Sequence, residues 1–211
     1  MQKVVILGAT EGVVKAIEEI RSTDQTSEII FLALDGYYPY NPNFFLEYIK
    51  KEVSLNQVLC KPKDFYEKNR VKVILDKKIV KISFKKHKIV LEDSEAMEYD
   101  ILLITDPPSY RFPDIKGVQR EGVFGVKQFK DIQGMVKLAP IVETIVIQAE
   151  DGDALKFVFV FLKMGKEIVV ISPNPEIFSS LSLEENNGIP QAIEEGKLRF
   201  LKEYPIVEIL G

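Results

Sequence analysis

The chain has 211 residues, a formal net charge of −4, 46% hydrophobic residues and 28% charged ones, enough length and apolar content for a sizeable buried core. That charge gives nucleic acid no basic footprint to bind, and a single cysteine excludes an intrachain disulfide or dithiol relay. The longest apolar stretch, residues 157–162, is far short of the ~20 residues of a membrane span, and the N-terminus enters a strand without a signal-like leader, so a soluble cytoplasmic protein is expected.

Residues 3–7 read as a strand, in which Val4 to Leu7 form an unbroken apolar run ahead of Gly8, the pattern of a strand buried on both faces. A helix follows, with Val13, Ala16, Ile17 and Ile20 on one side and Lys15, Glu18, Glu19 and Arg21 on the other. After a polar loop over 22–27, residues 29–34 read as a second buried strand, which makes a right-handed βαβ unit with parallel strands. Residues 37–42 are aromatic and proline-rich, hence a loop. Short helices are predicted at 44–51 and 62–69, then alternating strands at 71–75, 79–84 and 88–92, which suggest a small antiparallel layer on a parallel sheet. The run Lys85-Lys86-His87-Lys88 sits between two of these strands and reads as a solvated hairpin tip. A sixth strand at 101–105 precedes Pro107, Pro108 and Pro113, a stiff connector that divides the chain into domains at 1–110 and 111–211.

A helix at 127–138 leads to a second copy of the strand–turn–helix unit: strand 144–148, helix 153–163 and strand 167–171, with Gly165 placed as a C′ residue. A helix at 189–195 stopped by Gly196, then a strand at 198–201, follow. The fold class predicted is α/β, with two Rossmann-like three-layer units, the first carrying the antiparallel layer.

The order of these segments resembles the pyridine nucleotide-disulfide oxidoreductases, particularly their nitrite reductase, rubredoxin reductase and NADH oxidase-like branch. The likeness is carried by Lys3 to Gly12, Tyr38-Pro39-Tyr40-Asn41, Lys61 to Asn69, Tyr99 to Thr105, Gly122-Val123-Phe124 and the second repeat. It implies that the first unit holds the ADP part of FAD and the second holds NAD(P)H. It also implies Gly8, Thr10, Gly12, Asp35 and Thr105 as the cofactor-binding residues, with no catalytic residue or metal ligand assigned.

The family's glycines in the first turn would fall on Gly8, Thr10 and Val13, so only Gly8 matches, with Gly12 leaving room nearby. The ribose-binding acid falls by register on Leu34, and Asp35 is the substitute one residue later. The family's arginine falls on Pro42, and its Ala-Thr-Gly turn reads Ile104-Thr105-Asp106. In the second turn the glycine positions are Gln148, Glu150 and Asp153, and the ribose acid is Ser172. Glu150, Asp151 and Asp153 would face a ligand bearing two negative charges. At ~5 Å and an effective dielectric of ~20, each like-charge pair repels by roughly 3 kcal/mol before screening. The expectation is FAD held weakly or not at all, and no tight NAD(P)H binding. The late segment that closes the flavin in this family has no counterpart within the 211 residues.

Other candidates have bland explanations. Cys60 beside Lys61 is expected to be a buried small hydrophobe rather than a reactive thiol. His87, the single histidine, is expected at the surface. The Tyr37-Tyr38-Pro39-Tyr40 and Phe44-Phe45 cluster either flanks a flavin or packs over the sheet end, and both readings stand. Glu150, Asp151 and Asp153 suit the positive end of a helix dipole, a docking patch for a basic partner, or a cation site. A short-chain dehydrogenase is excluded because no Tyr-x-x-x-Lys occurs. The expected function is that of an FAD/NAD(P) oxidoreductase-family protein with impaired stand-alone catalysis. The alternatives are an accessory subunit that meets a protein partner in a redox complex, and an adenine-nucleotide sensor.

Overall fold

The computed structural model describes residues 2–33, 35–75, 77–105, 112–150, 152–174, 176, 189–202 and 204–210. The chain divides into two compact units, one built from Met1–Phe45, Val53–Ser109 and Lys127–Phe129, the other from Leu46–Glu52, Tyr110–Val126 and Lys130–Gly211.

The first unit begins with β1 (Lys3–Gly8), α1 (Glu11–Thr23) and β2 (Glu28–Ala33), and the two strands pair in parallel from Lys3↔Glu28 to Gly8↔Ala33. Helix α1 starts with Glu11 at its positive end and buries Val13, Val14 and Ile17. It ends where the Asp24 carboxylate accepts bonds from the backbone and hydroxyls of Thr26 and Ser27, an Asx turn that redirects the chain into β2. Three short helices follow along the chain: α2 (Phe45–Ile49), of which only Phe45 belongs to this unit, α3 (Leu55–Val58) and α4 (Asp64–Lys68). Only part of 44–51 is helical as expected, because Asn41 accepts from the amide of Asn43 and Pro42–Phe44 form a 3-10 turn first. Helix α3 was not anticipated, although Ser54 and Gln57 form a capping box, which is legible in sequence.

The strand predicted at 71–75 does not join the antiparallel layer. It is β3 (Val71–Ile74), parallel to β2. The reason is the preceding helix: α4 supplies a crossover, and a strand that leaves a crossover returns parallel. The antiparallel sheet is instead β4 (Ile79–Ser83), β5 (Lys88–Leu91) and the short β6 (Ala96–Glu98), in that order. The Lys85–Lys88 run joins β4 to β5, with His87 in the left-handed region at φ +50. Strand β7 (Ile101–Ile104) then pairs in parallel with β1, giving the order β3-β2-β1-β7.

Alternation along the strands splits this unit's core in two. Val4, Ile6, Ile29 and Phe31 cluster with Val13 and Ile17 of α1 and Tyr66 of α4. Val5, Leu7, Ile30 and Leu32 cluster with Ile89 and Leu91 of β5, Met97 of β6 and Tyr99. Each fully buried aliphatic side chain of this kind contributes about 1.5–3 kcal/mol, which fixes the strands' register and so the position of every turn at their C-terminal ends.

The second unit contains α5 (Phe129–Leu138) apart from its first residue, then β8 (Thr144–Gln148), α6 (Gly152–Lys163), β9 (Glu167–Ser172), α7 (Ile189–Glu194) and β10 (Leu198–Lys202). Its three strands are all parallel, in the order β10-β9-β8. Helix α6 buries Leu155, Phe157, Val158, Val160 and Phe161 and packs on β8 and β9. Gly165, at φ +76, ends it with its amide bonded to the Leu162 carbonyl.

Candidate functional site

The turn between β1 and α1 lies at the C-terminal end of a parallel sheet, where open α/β folds place ligands. Gly8 is the last residue of β1, and Thr10 is the N-cap of α1 with extended backbone, φ −121 and ψ −173. Gly12 occupies the second helical position. A Cβ there would stand 2.9 Å from the Thr105 Cβ and 3.3 Å from the Thr105 carbonyl oxygen. Thr105 in turn is fixed, because its amide and its hydroxyl both donate to the Leu7 carbonyl, at 3.0 and 3.1 Å. The missing side chain at Gly12 therefore lets α1 approach the end of β7, a helix–strand clearance that sequence reading had assigned to the ligand.

Asp35 follows β2, and its carboxylate is engaged by the aromatic loop. One oxygen accepts from the Tyr37 amide at 3.3 Å and the other from the Tyr40 hydroxyl at 2.6 Å. The Tyr40 amide donates to the Ala9 carbonyl at 2.9 Å, so this loop is sewn to the β1–α1 turn as well. The Tyr40 hydroxyl accepts from the Phe129 amide at 3.4 Å. Its ring packs against Phe45 and Phe129 with centroids 5.6 and 5.4 Å apart, and Tyr37 meets Phe129 edge-on. Tyr40, Phe45 and Phe129 are almost wholly buried, whereas Phe44 is 37% exposed. The cluster is thus chiefly packing, with Tyr37 and Tyr38 half-buried. The five residues assigned from sequence do gather at the ends of β1, β2 and β7. Tyr40 is the one that sequence reading missed as a partner of Asp35. Leu34 and Asp106 lie outside the described residues.

Cys60 is half-buried, and burial pushes its thiol up to about 11, with Glu11 adding to the rise and Lys61 opposing it. Lys61 instead pairs with Glu18 at 2.9 Å and lies 5.3 Å from the centre of the Phe65 ring. His87 stacks on Tyr99 at 5.4 Å. Among the described residues no three His, Cys, Asp or Glu side chains group as a metal site.

The second turn differs in its chemistry. Ala149 is buried, with its amide bonded to the Ile171 carbonyl. Glu150 accepts from Gln148 at 3.4 Å, and Asp153 pairs with Lys156 one turn along α6 at 2.6 Å. Asp151 lies outside the described residues. Ser172, where the family's ribose acid would stand, is fully buried and its hydroxyl is committed in both directions. It donates to the Asn174 carbonyl at 3.0 Å and accepts from the Asn174 amide at 3.1 Å. The repulsion expected from three acids is therefore reduced by the lysine, while the loss of an acceptor at the end of β9 is complete at this side chain.

No family model matches the chain. By sequence it is 21% identical to the assimilatory nitrate reductase electron transfer subunit of Bacillus subtilis, across all of this chain and 28% of that protein. It is 22% identical to the rubredoxin-NAD(+) reductase of Ectopseudomonas oleovorans, across 83% of this chain and 46% of that one. The chain thus spans less than half the length of these curated relatives. Among solved structures, the water-forming NADH oxidase of Lactobacillus brevis, bound to NADH, matches with a TM-score of 0.80 at 15% identity, covering 100% of this chain and 48% of that one. A ferredoxin reductase from Rhodopseudomonas palustris matches with 0.78 at 18% identity, covering 100% and 52%. These structures share the fold of two Rossmann-like units. The sequence relatives, at low identity, support a distant relationship to the pyridine nucleotide-disulfide oxidoreductases.

Proposed function

We propose that this chain is a redox-family module of the cytoplasm whose first unit takes the adenylate half of FAD, weakly, and whose second unit does not take NAD(P)H tightly. In this reading Gly8 and Thr10 form the turn under the diphosphate, Gly12 lets α1 close on Thr105, Asp35 meets the ribose hydroxyls and Thr105 holds the turn's shape. FAD would supply two-electron chemistry when bound, and the chain's residues would position it. One contrast carries the reading: beyond β2 stands a charged acceptor, the Asp35 carboxylate, shared with the Tyr37 amide and the Tyr40 hydroxyl, whereas β9 ends in Ser172, a neutral hydroxyl bonded twice to Asn174. Either group must share or give up bonds to meet a ribose, and an ionised carboxylate accepts the stronger hydrogen bond of the two.

Electron transfer to or from a protein partner is the second part of the reading. What supports it is that the whole chain aligns with a protein named as an electron transfer subunit. An absorbance scan of purified protein incubated with FAD, alongside thermal melts with AMP, ADP, ATP, FAD and NAD, tests both units. A ligand present at 100 times its dissociation constant adds about 2.7 kcal/mol. Stabilisation by FAD and ADP, with NAD adding no more than ADP does, is the expected pattern. Colourless protein with no response to any adenine nucleotide would overturn the first-unit assignment, and submicromolar NADH affinity would overturn the second.

A further inference from the structure

We infer that Tyr40 is a built-in competitor for the ribose, so that the aromatic loop sets how tightly the first unit holds an adenine nucleotide. The inference rests on the adenylate assignment above and goes beyond it. The Tyr40 hydroxyl donates to the Asp35 carboxylate at 2.6 Å, the short distance of a charge-assisted O–H···O⁻ bond, and the Tyr37 amide takes the other oxygen. The same loop is tied to the β1–α1 turn by the bond from the Tyr40 amide to the Ala9 carbonyl. Its ring packs against both Phe45 and Phe129, which also stack on each other at 6.0 Å, and it is almost wholly buried, so the hydroxyl is held in place rather than sampling solvent. A ribose that seeks Asp35 as acceptor must share it with, or displace, this phenol. The bond from the Phe129 amide to the Tyr40 hydroxyl, at 3.4 Å, is then lost too if Tyr40 swings away. The loop behaves as a strap over the acid: nucleotides gain little from their ribose hydroxyls while it is closed.

The discriminating pair of probes is ADP and 2′,3′-dideoxy-ADP, which lacks the hydroxyls that would compete. On the full chain, calorimetric titration is expected to show nearly equal affinities for the two in the wild type. Tyr40→Phe keeps the ring and removes the donor. It is expected to tighten ADP by about ten-fold, which corresponds to about 1.4 kcal/mol, and to leave dideoxy-ADP unchanged. Adding Asp35→Asn to Tyr40→Phe is expected to remove that gain. Equal tightening of both probes, or of neither, would overturn the strap while leaving the adenylate assignment intact. A wild-type preference for ADP of ten-fold or more would do the same, and it needs no variant to fold. Binding of neither probe to wild type or variant would overturn the adenylate assignment and the strap together.

Discussion

Replacing Gly12 with alanine separates a packing role for this glycine from a ligand role. The added Cβ would lie 2.9 Å from the Thr105 Cβ, 3.3 Å from its carbonyl oxygen and 3.5 Å from its hydroxyl. Neither the backbone nor the hydroxyl of Thr105 yields cheaply, since both are bonded to the Leu7 carbonyl and β7 is paired to β1 through Ile104. Overpacking against such a neighbour costs about 1–3 kcal/mol. Against this, alanine gains up to about 1 kcal/mol over glycine inside a helix. The gain is smaller here, at the second position of α1, where intrahelical bonding is incomplete. A net loss of about 1–2 kcal/mol is expected, and at about 2–4 °C per kcal/mol for a chain of this size the melting midpoint should fall by several degrees.

Calorimetric melting of Gly12→Ala, Thr105→Gly and the double variant reads this directly. The double variant should lose less than the two single losses added, because removing the Thr105 side chain removes the 2.9 Å contact. An unchanged or raised midpoint for Gly12→Ala would refute the reasoning. If that result came with weakened ADP binding, Gly12 would be serving the ligand after all.

At the second turn, Ser172→Ala removes two bonds to Asn174 from a fully buried position, and a loss of about 1 kcal/mol is expected in urea melts. Tyr66→Phe should be neutral or stabilising by up to about 1 kcal/mol in the same assay, since the Tyr66 hydroxyl is buried without a hydrogen-bond partner among the described residues. Cys60 gives a pH signature. Burial raises its thiol from an ordinary 9.0 to about 11, so the folded state holds the proton longer than the unfolded one. That contribution is fully present below pH 9 and declines as pH rises toward 11. Cys60→Ser should flatten this limb of a stability–pH profile, and the native thiol should alkylate slowly at neutral pH.

The frame was legible because burial on both faces leaves a plain mark: uninterrupted apolar runs at Val4 to Leu7 and Ile29 to Leu32, each ahead of a turn. A shorter apolar run, Ile145 to Ile147, pointed to the second unit, although β8 is not buried on both faces and Val146 is 57% exposed. Partner choice among the short strands was less legible. Val71 to Ile74 alternates much as β4 does, and only the crossover through α4 assigns it to the parallel sheet. The site was half legible. Asp35 could be named from its register after β2, but its bond to Tyr40 depends on how five residues of loop turn back, and periodicity carries no information about that.

The two turns differ less in charge than their sequences suggest, and more in which acceptors remain at the strand ends. Asp153 has Lys156 beside it on an exposed face, where such a pair is worth little in stability yet still offsets local negative potential. Repulsion of a diphosphate by the second turn is correspondingly weaker than three bare carboxylates would make it. What a lysine cannot restore is an acceptor at the end of β9, because Ser172 is buried and spent on its own turn. The first unit keeps its acceptor and covers it with a tyrosine. On the proposed reading, giving the second unit a free acceptor at this position would mean rebuilding the segment from Ser172 to Asn174, whereas opening the first would mean the loss of one phenolic oxygen.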